Sequence, residues 1–168
     1  MEYRIRKPVL ADAQSIFEIE GICFPAEEAA TLAAITHRIE AFDDTFFVLE
    51  EKTECNNFKM VGFTNGCRSI HNRINDDMFL PTCKNDANGD YVLIFSLSIL
   101  PECRNKQYGK ILLEHLREVC KNNGVKEIIL TCKDKYIKYY ASVGYENLGI
   151  SESTHGGAVW YDMALQLS

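Results

Sequence analysis

No apolar run in the 168-residue chain approaches the ~18 residues needed to cross a bilayer, so no membrane partner is expected. The opening residues Met1-Glu2-Tyr3-Arg4-Ile5-Arg6 lack the apolar core of a secretory signal. The seven cysteines, at 23, 55, 67, 83, 103, 120 and 132, are odd in number and include no C-x-x-C pair. That pattern excludes a disulfide framework and a paired-cysteine zinc site, and it reads as reduced thiols in a cytoplasmic protein. No cysteine has a histidine at a recognisable catalytic spacing, and no carboxylate–histidine cluster suggests a metal. Positive charge is scarce: the formal net charge is -6. An acidic surface argues against nucleic acid as a partner and favours cationic small molecules such as amines. Internal repeats, low-complexity tracts and linkers are all missing, which leaves residues 1–168 as a single domain.

The strongest local pattern lies in the middle of the chain. Tyr91 to Leu100 is an apolar strand, stopped by Pro101, which has no N–H for a sheet ladder. A polar basic loop follows and ends at Gly109. Leu112, Leu113, Leu116, Val119 and Cys120 then recur at helical spacing, and Gly124 ends that helix. A strand, a basic loop with glycine and a helix form the layout of an anion site. The first backbone N–H groups of the helix have no partner within it and carry the positive end of its dipole. Arg104, Lys106 and Lys110 add charge.

Around this centre the pattern predicts a strand at Tyr3–Lys7 and a helix from an Asp12 cap to Cys23, with Ala13, Ile16, Phe17 and Ile19 inward. It predicts a second helix over Glu27–Phe42 and a hairpin of Thr45–Glu50 with Phe58–Thr64. Asn65–Asp90 reads as a long surface loop with a short helical piece at Asn75–Leu80. Lys126–Cys132 is a buried strand and Lys135–Ser142 a short helix. Tyr145–Glu152 and Ala158–Leu165 are closing strands joined by Ser153–Gly157. His37, His71 and His115 read as solvated. The order is that of a mixed α/β domain.

Arg104-Asn105-Lys106-Gln107-Tyr108-Gly109 resembles the acetyl-CoA signature of the GCN5-related N-acetyltransferases (GNAT), an Arg/Gln-x-x-Gly-x-Gly/Ala loop after a strand. Arg104 and Gly109 fit the signature, and Gln107 stands where the family usually has its first glycine. Tyr139-Tyr140-Ala141-Ser142-Val143-Gly144-Tyr145 resembles the family's Phe-Tyr-Glu-Lys-Leu-Gly-Phe motif. Cys23-Phe24-Pro25-Ala26-Glu27-Glu28-Ala29-Ala30 and Thr131-Cys132-Lys133-Asp134 are similar to the arylalkylamine branch, which includes serotonin N-acetyltransferase. Leu93 and Phe95 stand where vertebrate members of that branch carry two histidines.

The resemblance implies an acyl-CoA N-acyltransferase fold, a mixed central sheet of about seven strands flanked by four helices. It implies a transferase that moves an acetyl group from acetyl-CoA directly to a primary amine, a small arylalkylamine. It also implies that thioester and pantetheine run along Leu97, Ser98 and Ile99, with the pyrophosphate over Arg104, Asn105, Lys106, Gln107, Tyr108, Gly109 and Lys110. Tyr140 takes the place of the acid that protonates the departing thiolate; a phenol with pKa near 10 can supply that proton. Either Glu27 or Glu28 is the candidate base. Ser96 is placed to order a water, and Phe24 and His155 belong to the acceptor pocket. Two alternatives stay open: acetylation of a protein or peptide amine, and a CoA-binding regulatory module without turnover.

Overall fold

A computed structural model describes residues 2–167. Seven strands form one sheet in the order β1-β2-β3-β4-β5-β7-β6. They are β1 (Tyr3–Arg6), β2 (Phe46–Lys52), β3 (Phe58–Ser69), β4 (Tyr91–Ile99), β5 (Glu127–Cys132), β6 (Glu146–Ile150) and β7 (Tyr161–Gln166). The helices are α1 (Ala13–Cys23), α2 (Leu32–Ala41), α3 (Tyr108–Asn122) and α4 (Ile137–Ala141). Among the described residues no helix is long and apolar enough to cross a membrane.

Strand alternation explains how the layers form. Ser96 and Ser98 of β4 reach Glu20 on α1. Leu97 between them points the other way, toward Gly109 at the start of α3. The helices α1 and α2 therefore cover one face and α3 the other. The stripe Leu112, Leu113, Leu116 and Cys120 is buried against the sheet, each apolar side chain contributing roughly 1.5–3 kcal/mol. Gly124, at φ 75°, ends α3 in the left-handed conformation that glycine tolerates.

Two irregularities in β4 position the site. Its pairing with β3 shifts between Asn65 and Gly66, so that Asn65 faces Ser96 and Gly66 faces Ile94. Phe95 is the extra residue of this β-bulge. Its pairing with β5, the sheet's parallel pair, covers only Tyr91–Ile94 against Glu127–Leu130. Beyond Ile94 the two strands part, and a wedge opens between them.

Several elements differ from the sequence expectation. The second helix starts at Leu32, not at Glu27. Glu28 and Ala29 both donate to the Pro25 carbonyl in a turn, and Thr31 caps the helix by accepting from the Ala34 N–H. The third strand continues through Asn65–Ser69, where the polar sequence hides a buried ladder against β4. Phe17 is 37% exposed because the inward stripe of α1 runs through Ile16, Ile19 and Glu20. Asp12 binds Arg6 and the Val9 N–H in place of capping α1. The closing strands are shorter, Glu146–Ile150 and Tyr161–Gln166. Two of the three histidines expected in solvent make packed contacts: His37 binds the Cys83 carbonyl, and His115 sits edge-on to Phe47 at 4.5 Å.

Candidate active site

The basic loop folds as a 3-10 turn over Pro101–Lys106, and Gln107 (φ 67°, ψ 13°) turns the chain into α3. That left-handed conformation is where glycine is ordinarily found, so the structure shows why a glycine is usual at this position. Gly109 and Lys110 lie in the first turn of α3 and have no acceptor within the helix. A Cβ on Gly109 would run into the Tyr139 hydroxyl. The absence of a side chain there makes room for the Tyr139 hydroxyl beside the first turn of α3.

The three cations expected to add charge at this loop have different surroundings. Lys106 is paired with Glu51 at 2.7 Å. Arg104 donates its Nε to the Ile99 carbonyl at 3.0 Å, and Lys110 is exposed.

A cavity of about 690 Å³ fills the wedge between β4 and β5. Ile94 to Leu97 and Ile99 line one side, Leu130 to Lys133 the other. Of the residues singled out in the sequence, Phe24, Glu28, Ser96, Leu97, Ile99, Arg104, Gly109, Tyr140 and His155 line it. Ser98 is buried and bonded to Glu20 on α1. Glu27 is exposed and outside the cavity lining. Asn105, Lys106, Gln107, Tyr108 and Lys110 also lie off the cavity wall.

Glu28 ties three segments together. Its Oε2 accepts from Lys133 Nζ at 2.8 Å, while Oε1 is buried with no partner among the described residues. Its backbone carbonyl lies 2.8 Å from His155 Nε2. A ring nitrogen facing a carbonyl must carry the hydrogen, so Nε2–H donates. His155 stacks on Phe79 at 4.3 Å, and its own carbonyl accepts from the Trp160 indole at 2.9 Å. Phe79 belongs to the 70–90 loop. That loop is also held by Asp76, which accepts from the Ser153 hydroxyl at 2.5 Å and the Thr154 N–H at 3.3 Å.

Tyr140 and Tyr139 stand near the α3 end of the cavity. Burial pushes the Tyr140 phenol well above the ordinary tyrosine range, with the neighbouring Cys132 adding to the effect. Burial raises the Tyr139 phenol as well.

Two further polar residues line the cavity. Glu20 on α1 is 3% exposed and accepts from the Ala30 N–H at 2.8 Å, from Ser96 at 3.4 Å and from Ser98 at 3.5 Å. Burial raises its carboxyl above the usual range, against the lowering effects of those donors and of Arg38. Arg38 on α2 is 2% exposed. The sequence reading passed over both, yet each sits on an apolar stripe, Ile16–Glu20 and Ala34–Arg38. A charge at i+4 on a buried face is the signal that would have found them. Lys133, Phe79 and Trp160 carry no such mark, since their role arises from segments far apart in the chain.

Residues 13–145 match the sequence model of the acetyltransferase (GNAT) family. No curated protein matches the chain. Among solved structures, the loading GNATL domain of CurA from Lyngbya majuscula superposes with a TM-score of 0.82 at 16% identity, over 99% of this chain and 98% of that one. The GphF GNAT-like decarboxylase, in complex with isobutyryl-CoA, gives 0.80 at 18% identity, over 98% and 100%. The ribosomal-protein-S18-alanine N-acetyltransferase from Escherichia coli gives 0.72 at 18% identity, over 99% and 95%. At these identities the likeness is one of fold.

Proposed function

The chain belongs to the acetyltransferase (GNAT) family, which uses acetyl-CoA, and from that premise we propose that it acetylates the primary amine of a small arylalkylamine. The observation that carries the choice of acceptor is the cavity wall. Phe24, Phe79, Phe95 and Trp160 offer aromatic surface beside the buried carboxylate of Glu28. An aryl ring would pack on the former while the ammonium meets the latter. The 70–90 loop, fastened by Asp76 and by Phe79 on His155, adds Asp76, Phe79 and Leu80 to the cavity wall, which supports a small acceptor over a peptide. Seven free cysteines suit a cytosolic enzyme.

The residues present fit acetyl-CoA: the wedge beside Leu97 and Ile99 is open, and Gly109, in the first turn of α3, lines it. When bound there it supplies the acetyl group as an activated thioester. Gly109 and Lys110 N–H would hold the pyrophosphate, with Arg104 beside it. Glu28 Oε1, the unpartnered oxygen, takes the ammonium proton, and Lys133 holds the carboxylate in place. Glu28 is thus the base in this reading, and the exposed Glu27 is not. Tyr140 Oη keeps its proton at neutral pH because burial disfavours the phenolate, and gives it to the departing thiolate.

Thiol release from acetyl-CoA, measured with a panel of arylalkylamines and of peptides, tests the assignment. Turnover confined to peptides would reject the acceptor. Tight CoA binding without release on any amine would indicate a regulatory module.

A further inference from the structure

Resting on the reading of the cavity as the acyl-transfer site, we propose that Arg38 forms a carboxylate-binding subsite there, so that one of the two reactants carries a carboxylate. That carboxylate belongs either to the acceptor, as in an amino acid, or to the acyl group, as in a dicarboxylic acyl-CoA.

The argument begins with an imbalance. Arg38 is 2% exposed, and a guanidinium taken out of water needs an anion and acceptors for its N–H groups. It has few. Nη1 meets the neutral Asn65 Oδ1 at 3.4 Å, a long bond. Cζ lies 5.0 Å from the centre of the Phe95 ring. No ion pair to Arg38 is made among the described residues. Glu20 is the carboxylate whose charge acts on it, but its oxygens are committed to Ala30, Ser96 and Ser98. Its attraction for Arg38 acts at longer range, and burial also draws Glu20 toward its neutral form. The fork of N–H donors on Arg38 therefore stays largely unmatched, in a residue that lines the cavity.

The unmatched geometry selects the ligand. A planar guanidinium with donors in a fixed fork matches a carboxylate in two parallel bonds. Placement adds reach: Arg38 stands over Phe95, the bulge residue, and Asn65 pairs with Ser96. It thus lines the same cavity as Leu97 and Ile99, where the acyl group is proposed to lie. A carboxylate a few bonds from either reacting carbon would reach it.

Calorimetry on the whole protein tests this in two arms. CoA-loaded protein is titrated with N-acetylphenylalanine and with N-acetylphenethylamine, which differ by the carboxylate. Free protein is titrated with succinyl-CoA and with butyryl-CoA, which differ the same way on the donor side. In one arm the carboxylate member should bind at least about tenfold tighter, and which arm does so identifies the source. Arg38→Met should erase the preference. Arg38→Lys keeps a charge opposite Glu20 but loses the fork, and should cut the preference at least about threefold. A wild-type preference below about twofold in both arms overturns the proposal without any variant. So does a preference that survives unchanged in Arg38→Lys. Thiol release from acetyl-CoA and from succinyl-CoA, each with phenylalanine and phenethylamine, reports separately on the acyl-transfer reading. Release without discrimination in either arm keeps that reading and removes the subsite; discrimination in binding without release does the reverse.

Discussion

Replacing Tyr140 with phenylalanine deletes one oxygen and keeps the ring. The ring's edge-on packing against Tyr139 (5.2 Å) and Tyr145 (5.9 Å) is preserved. The hydroxyl makes no hydrogen bond among the described residues, so its removal should change folding stability by less than about 1 kcal/mol. The effect on rate is expected to be far larger. Burial keeps the phenol protonated far above neutrality, and a positioned general acid is worth roughly 10²–10⁴-fold, or about 3–5.5 kcal/mol of barrier. The ground-state thioester carries no charge on sulfur, so acetyl-CoA affinity should be nearly unchanged. The assay is single-turnover thiol release, with acetyl-CoA calorimetry and a denaturant curve on the same sample. A rate within about twofold of wild type, under conditions where chemistry limits, would refute the role. So would a fall in stability with turnover per folded molecule intact, which is what a purely structural tyrosine predicts.

Gly109→Glu places a side chain against Tyr139 and a negative charge at the α3 N-terminus; calorimetry should show acetyl-CoA affinity lost by at least about tenfold. Glu28→Gln removes the proposed proton acceptor while the His155 bond to its backbone carbonyl remains. Turnover should fall about 10²-fold or more at unchanged coenzyme affinity. Gln107→Gly relieves a left-handed residue at φ 67°. The gain of ~1–2 kcal/mol is partly offset by the freedom of glycine in the unfolded chain, so the melting temperature should rise slightly. Tyr140 and Tyr145 are both held neutral by burial. The unfolded chain therefore loses these protons first, and the stability they contribute is full below about pH 10 and falls as pH climbs above it. Denaturant midpoints at pH 9 and 11 should show the loss, and Tyr140→Phe should show less of it.

What the sequence determined by itself is what depends on neighbours along the chain. Pro101 stops a strand, Gln107 to Gly109 open a helix, Leu112 to Cys120 repeat at its period, and Gly124 ends it; each is a local constraint readable without a partner. The element order followed, and with it the mixed α/β class; the acyltransferase fold was implied by the resemblance carried by Arg104–Gly109 and Tyr139–Tyr145. Where local chemistry was ambiguous, the reading slipped. Asn65 to Ser69 are polar and were expected in a loop, but their strand exists because β4 supplies the ladder. Glu27 and Glu28 are equivalent in sequence, and only the turn around Pro25 faces one to solvent and the other to Lys133. The pairing of Glu28 with Lys133 and His155, the fastening of Asp76 to Ser153, and the meeting of Arg38 with Phe95 and Asn65 join residues from separate segments. No periodicity encodes such a juxtaposition. It is decided where β4 bulges and parts from β5, because that parting opens the space into which side chains from both helices and the closing loops converge.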